Sequence, residues 1–197
     1  ARTARQGTGP FITGAFSKLG ASVSAIVGTQ PATVEEARLA LEAEQDIRCE
    51  GYTDLQRAIE IEKPDVVALC SPYRFHAQQL KAIAEANCNC LVEKPLAWPV
   101  DDSEVLSLLK IFESRGLLLE MVAQWPQTLF GFTEVHGPLP KTIGHFAMRL
   151  SPISIGRDMV PDSAPHFISM LQALLGPGDF QDTEVELQAS VKGEINS

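Results

Sequence analysis

Short apolar runs alternate with amphipathic stretches along the first two thirds of the chain. Such runs, bounded by polar residues, are typical of strands that helices cover on both faces. The stretches between them have apolar residues at helical spacing. This alternation predicts an α/β protein with a doubly wound parallel sheet. The predicted strands are 21–28, 65–70, 89–93 and 117–122, and the predicted helices are 10–19, 33–44, 53–63, 75–86 and 101–115.

Two of the helix starts carry a capping pattern. Thr33 is followed by Glu36, and Thr53 by Gln56. A threonine hydroxyl can accept a bond from the backbone N–H three residues on, and the glutamate or glutamine side chain can return it. We therefore expect these two helices to begin at Thr33 and Thr53.

The pattern changes after Gln124, where Pro and Gly become frequent and the regular alternation stops. We therefore expect part of a second domain, of the α+β class, over 124–197, after a first domain over 1–123. Its predicted elements are strands at 143–150 and 183–192 and a helix at 163–175.

Both ends of the chain are expected to be incomplete. A glycine fingerprint normally follows a strand, but only a short polar segment precedes Gly7. The first strand of a doubly wound sheet is central, so its omission leaves a slot. Two strands are too few for an independently stable sheet in the second domain. We expect an apolar strand before Ala1 and further strands after Ser197.

Composition and charge exclude several classes of protein. The chain is 45% hydrophobic and 21% charged, which is ordinary for a globular protein with a sizeable core. No apolar stretch approaches the roughly 20 residues that span a bilayer, so we expect no membrane association and a cytoplasmic location. The net charge of -9 argues against a nucleic-acid partner. The four cysteines form no Cys-x-x-Cys pair, which predicts free thiols and no metal site.

Ligands of open α/β sheets bind beyond the carboxyl ends of the strands, where the first candidate is a glycine-rich segment. GTGPFITG begins at Gly7 and leads into a helix whose free N–H groups could bind a pyrophosphate, so Gly7 and Gly9 are candidate cofactor contacts. A plain glycine-rich turn is an equal alternative. A phosphate loop nearer the N-terminus, with Arg2 and Arg5 facing the phosphates, is another.

The end of the strand predicted at 21–28 carries no charge. Gly28 and Thr29 stand where an NAD-binding protein usually presents an acid to the ribose hydroxyls. A neutral end leaves room for a 2'-phosphate, to which the Thr29 hydroxyl could donate, and this mildly favours NADP over NAD. A plain turn is an equal alternative for Thr29.

A Ser-Pro break follows the strand predicted at 65–70. Ser71 and Pro72 form a loop that can lie against a flat ring, and His76 follows at the start of the next helix. These three residues are candidate cofactor contacts. A position on the helix surface is the alternative for His76.

Glu93 and Lys94 end the strand predicted at 89–93. Burying an ammonium group is costly unless it is paired, so Lys94 is expected to point into a polar cleft, with Glu93 beside the cofactor. Pro95 has no N–H to continue the ladder and turns the chain. A solvated lysine is the alternative.

The stretch DVVALCSPYRFHAQQLKAIAEANCNCLVEKPLA, residues 65–97, resembles the matching segment of the glucose-fructose oxidoreductase and inositol dehydrogenase (Gfo/Idh/MocA) family. The resemblance implies a Rossmann domain followed by an α+β domain with an open sheet, which also implies a homo-oligomer. It implies transfer of hydride between NAD(P) and sugars, cyclitols or related small molecules. The family's Glu-Lys-Pro lysine lies in the active site, often before a cis peptide bond, and Lys94 takes that place.

The family also carries an Asp-x-x-x-His pair at the start of a helix in its second domain, which Asp162 and His166 match. Residues four apart on a helix share a face, so the pair can address one substrate carbon. We expect His166 to be the general acid/base and Asp162 its orienter or a substrate ligand. Lys94 is expected to meet them across an inter-domain gap and to stabilise the developing alkoxide. An Asp cap and a surface histidine are the alternatives.

These features predict an oxidoreductase dependent on NADP or NAD, acting on a small polyhydroxylated substrate. The imperfect glycine loop and the expected incomplete ends of the chain also suit a cofactor-binding or regulatory member that has lost catalysis. An S-adenosylmethionine-dependent methyltransferase is a weaker alternative, because it uses a Gly-x-Gly after a strand and does not explain Glu-Lys-Pro.

Overall fold

The computed structural model describes residues 8–151 and 154–178. The chain divides into two compact units, with the division between Val122 and Ala123. The predicted features that lie outside the described residues are Arg2, Arg5, Gly7 and the strand at 183–192.

The first unit alternates helices with short parallel strands, which confirms the predicted α/β class. The run of hydrophobic residues in the central strands is what a sheet covered by helices requires. Its elements are α1 (Thr8–Lys18), β1 (Ala25–Val27), α2 (Pro31–Gln45), β2 (Glu50–Tyr52), α3 (Leu55–Glu62), β3 (Val66–Leu69), α4 (His76–Glu85), β4 (Asn89–Val92), α5 (Asp102–Ser114) and β5 (Leu119–Met121).

The described strands form two parallel sheets. β1 pairs with β2 in one sheet, and β3, β4 and β5 lie in that order in the other. Among the described residues no strand joins the two sheets, so the sheet is divided where the slot was predicted. Whether a strand before Ala1 fills that position stays a prediction.

The core of the first unit lies between α4, α5 and the three-stranded sheet. Leu80 and Ile83 follow His76 at the spacing of one helix face, and all three side chains are fully buried. Val92 from β4 and Phe112 from α5 complete the centre of this cluster. Full burial of each large apolar side chain contributes about 1.5–3 kcal/mol, so α4 is firmly anchored under the sheet.

The Val34 side chain packs α2 against the end of β1 and the middle of β2. A methyl group added at Gly28 would lie 2.7 Å from Val34 Cγ2, and one added at Gly51 would lie 2.7 Å from Val34 Cγ1. Val34 is buried, and its branched side chain is stiff. The two glycines therefore allow a close approach that fixes where β1 ends.

Both predicted helix starts are wrong by two residues. α2 begins at Pro31 rather than Thr33, because proline suits the first helical position, where its missing N–H costs nothing. α3 begins at Leu55 rather than Thr53 because the Asp54 carboxylate accepts a bond of 2.8 Å from the backbone N–H three residues on. A carboxylate also interacts favourably with the helix dipole.

The described part of the second unit is helical, with α6 (Thr128–His136) and α7 (Met159–Leu175). Residues 143–150, predicted as a strand, form none. An alternating sequence needs a partner to complete a ladder, and nothing in the described residues pairs with this segment. α7 covers the predicted helix 163–175 and begins before it.

Candidate active site

The carboxyl ends of β3 and β4 lie side by side. Leu69 and Val92, the last residues of the two strands, are in register. The pairing continues one residue further, because the Glu93 N–H donates to the Leu69 carbonyl at 2.9 Å. The turns that follow the two strands, at Ser71-Pro72 and at Lys94-Pro95, therefore start from one edge of the sheet.

The His76 side chain connects these two turns, with one ring nitrogen against a backbone oxygen of each. Its Nδ1 lies 2.9 Å from the Pro95 carbonyl oxygen and its Nε2 lies 2.8 Å from the Ser71 carbonyl oxygen. The side chain is 0% exposed, so the surface alternative for this histidine is wrong. Its contact with a cofactor stays a prediction. The Ser71 hydroxyl also reaches α4, where it donates to Gln79 Oε1 at 2.5 Å.

Glu93 presents a carboxylate at the end of β4 that its neighbours only half satisfy. Its Oε2 accepts from the Lys94 backbone N–H at 3.3 Å. Its Oε1 is buried and has no hydrogen-bond partner among the described residues. An unpaired buried acceptor costs about 1–3 kcal/mol, and more when it is charged. A hydroxyl donor of a ribose is a group that fits this position.

Lys94 follows directly and is half-buried. The peptide bond from Lys94 to Pro95 is cis, as is the bond from Trp98 to Pro99. Ala97 between them is buried in the core cluster, so the turn is packed down on its inner side. The expected position of the Lys94 ammonium group in a polar cleft stays a prediction.

The Thr8 side chain, at the first described residue of α1, lies near the Cys70 thiol, one residue before Ser71. Burial raises the pKa of Cys70, the Thr8 side chain lowers it, and the nearby Glu93 carboxylate raises it further. The thiol therefore stays protonated and is no nucleophile. Sequence reasoning missed Thr8, although it lies between the two glycines of the predicted phosphate loop.

Gly9 lies in the first turn of α1, so it is part of the helix rather than of a loop before it. At the end of β1, the Gly28 N–H donates to the Tyr52 carbonyl at 3.0 Å and extends the ladder. Thr29 follows and is exposed, so its hydroxyl is accessible to a ligand. Residues 28–30, which form this turn, include no acidic side chain.

The second unit carries Asp162 and His166 on one face of α7. The Ser154 N–H donates to Asp162 Oδ2 at 3.2 Å. The rings of Trp125 and His166 meet edge to face, with centroids 6.1 Å apart. Asp158 occupies the cap position of α7, so the alternative of Asp162 as the cap is wrong. No periodic signal in the sequence links Trp125 to His166.

The two units thus hold two sets of groups of different chemistry. The first unit offers an ammonium group, an incompletely bonded carboxylate and two turns at the ends of parallel strands. The second offers a carboxylate held by a backbone N–H and an imidazole beside an indole edge. The combined action of Lys94 with Asp162 and His166 stays a prediction.

No three His, Cys, Asp or Glu side chains in the described part of the chain are grouped so as to hold a metal ion. No helix within residues 8–151 and 154–178 is both long and apolar enough to cross a membrane.

Residues 7–122 match the Gfo/Idh/MocA oxidoreductase family, described as having an NAD-binding Rossmann fold. A segment of 46 residues is 44% identical to D-glucoside 3-dehydrogenase of Escherichia coli K12, covering 23% of this chain and 13% of that protein. These matches rest on the first unit and on one short segment.

Solved structures with the same fold include an oxidoreductase from Agrobacterium radiobacter in complex with NAD+, L-tartaric acid and magnesium, at 14% identity and a TM-score of 0.62. It matches over 86% of this chain and 52% of its own. The WlbA dehydrogenase from Chromobacterium violaceum, in complex with NADH and UDP-GlcNAcA, matches at 18% identity and a TM-score of 0.60, over 86% and 53%. The chain spans about half the length of these structures.

Proposed function

Because this chain belongs to the Gfo/Idh/MocA family of oxidoreductases with an NAD-binding Rossmann fold, we propose that the whole protein transfers hydride between NAD(P) and a small hydroxylated substrate. The observation that carries the proposal is the end of β4. There a half-buried lysine follows a carboxylate whose buried Oε1 lacks a partner among the described residues. Both groups lie beside the turn after β3, where ligands of open α/β sheets bind.

In this proposal Glu93 accepts a hydrogen bond from a ribose hydroxyl of the cofactor, which satisfies its Oε1. The Ser71-Pro72 turn lies against the nicotinamide ring, and His76 is a further candidate contact. The pyrophosphate is held near the start of α1, with Gly9 and the preceding Gly7 close to it. Arg2 and Arg5, on the predicted alternative loop, supply positive charge.

The neutral turn at Gly28-Thr29 supports a mild preference for NADP. It leaves room for a 2'-phosphate, and the exposed Thr29 hydroxyl can donate to it. NAD remains the alternative cofactor. The preference rests on residue types, because an acid at this position would repel the phosphate.

The chemistry of the proposed step divides among three side chains. When bound, the nicotinamide accepts or donates the hydride. Lys94 stabilises the negative charge that develops on the substrate oxygen. His166 takes the proton from that hydroxyl, or returns it in the reverse direction, because an imidazole exchanges protons near neutral pH. Asp162 orients His166 or binds a second substrate hydroxyl.

Sugars and cyclitols are the proposed substrate class. The short identity with D-glucoside 3-dehydrogenase supports a glucoside as the first compound to test. A homo-oligomer and a cytoplasmic location stay predictions, the first from the family resemblance and the second from the composition of the chain. The family match is to oxidoreductases, which argues against the methyltransferase alternative.

Cofactor binding without catalysis is the second candidate. It is favoured by the position of Gly9 inside α1, where the second glycine of a phosphate loop would precede the helix. Nicotinamide fluorescence of the full-length protein with NADH and NADPH, followed by turnover on methyl β-D-glucoside, D-glucose and myo-inositol, separates the two. Binding with turnover supports the oxidoreductase. Binding without turnover supports the second candidate, and no binding of either nucleotide refutes both.

A further inference from the structure

His76 is fully buried, and both nitrogens of its ring meet backbone oxygens. The two oxygens belong to residues far apart in the chain, Ser71 before α4 and Pro95 after β4. Each residue stands in one of the two turns from which the site is built. The ring is thus the direct hydrogen-bonded link between the two turns.

The hydrogen-bond count fixes how many protons this link needs. A carbonyl oxygen only accepts, so each contact requires an N–H on the ring. A neutral imidazole has one N–H and would set a lone pair against the other carbonyl oxygen at 2.8 or 2.9 Å. A ring with both nitrogens protonated satisfies the two oxygens at once.

A charged ring at this position needs compensation, because it lies at the first residue of α4, where the helix dipole disfavours a cation. Two charge-assisted bonds to carbonyl oxygens supply part of it. Burial of the ring excludes the water that would otherwise bond either nitrogen.

We propose that His76 is a positioning residue that carries both ring protons and holds Lys94 at a fixed place relative to the Ser71-Pro72 turn. It acts through the Pro95 carbonyl, one residue beyond Lys94, and does not need to touch the cofactor. α4 provides the rigid support, since Leu80 and Ile83 anchor the same helix face in the core. The inference rests on the role proposed above for Lys94.

The first test is a double-mutant cycle in the full-length protein. His76→Asn places a single amide nitrogen where the ring presents two nitrogens on opposite edges, so it can reach at most one of the two carbonyl oxygens. We expect it to lower kcat by about tenfold or more while the dissociation constant of NADPH changes little. In a Lys94→Met background the same substitution is expected to lower kcat no further, because the group it positions is gone.

Leu108→Ala is the control, since it weakens the same core cluster from a buried position on α5, which carries neither turn. We expect it to lower thermal stability at least as much as His76→Asn and to leave kcat unchanged. An equal loss of kcat in the control overturns the positioning role. So does a loss from His76→Asn that persists in the Lys94→Met background.

The second test is independent of turnover. In the full-length protein with 15N-labelled histidine rings, NMR at neutral pH is expected to show protons on both ring nitrogens of His76, and His76→Asn assigns the signals. Failure of every sugar to turn over would refute the proposed function, while two protonated nitrogens would still support the bridge. A ring nitrogen without a proton overturns the inference even if the enzyme is active.

Discussion

Gly51→Ala tests the close packing of Val34, on α2, against β2 and the end of β1. The added methyl group would lie 2.7 Å from Val34 Cγ1, whereas apolar carbon atoms pack at about 3.5–4.0 Å. Relieving such overpacking costs about 1–3 kcal/mol. Replacing glycine where the backbone accepts alanine returns about 0.4–1 kcal/mol through the unfolded state. The expected net loss is therefore about 1–2 kcal/mol.

Urea unfolding followed by circular dichroism measures this loss. With a slope of about 2 kcal/mol per molar urea, the midpoint is expected to fall by about 0.5–1 M. Val34→Ala removes the methyl group in the way, so the double variant should lose less than the sum of the single losses. Gly9→Ala is the control that should not destabilise, because no atom of the described residues lies within 4 Å of the added methyl group. An unchanged or higher midpoint for Gly51→Ala would refute the close packing of Val34 against Gly51.

Four further predictions concern the site and two cysteine thiols. Glu93→Gln should raise the melting temperature of the free protein, by removing an incompletely bonded buried charge, and weaken NADPH binding by about tenfold or more in a fluorescence titration. Exposed Glu85→Gln should do neither. Thr29→Glu should lower affinity for NADPH relative to NADH by about tenfold or more, through repulsion of the 2'-phosphate. Burial raises the pKa of Cys70, and that of Cys90 to about 12, so iodoacetamide at pH 8 should label neither thiol until urea is added. Because an unfolded thiol ionises near pH 9.0 and folded Cys90 near 12, the free energy of unfolding should fall as pH rises through that window.

The sequence was most informative where apolar residues are dense. β3 and β4 were predicted because their runs are nearly continuous, and they are the strands that carry the site. β2 was missed, because Glu50–Tyr52 has little apolar character and forms through pairing with β1. The segment 143–150 failed in the opposite way, since its alternation is present and a partner strand is not found in the described residues.

The candidate site was predictable to the extent that it follows strand ends. Glu93 and Lys94 could be placed because a strand has to stop at the proline after them. The burial of His76 could not be predicted, since its partner Pro95 is 19 residues away in sequence. The contact between Thr8 and Cys70 is likewise long-range, and no local pattern marks it.

The central claim is that Lys94 and His166 act on one substrate beside a bound nicotinamide. The most direct test is the steady-state rate of NADP or NAD reduction by methyl β-D-glucoside, or by whichever sugar turns over, in full-length Lys94→Met and His166→Asn. Each variant is expected to lose about 100-fold or more in kcat while it binds NADPH as tightly as the parent protein. Turnover at the parent rate in both variants would contradict the account.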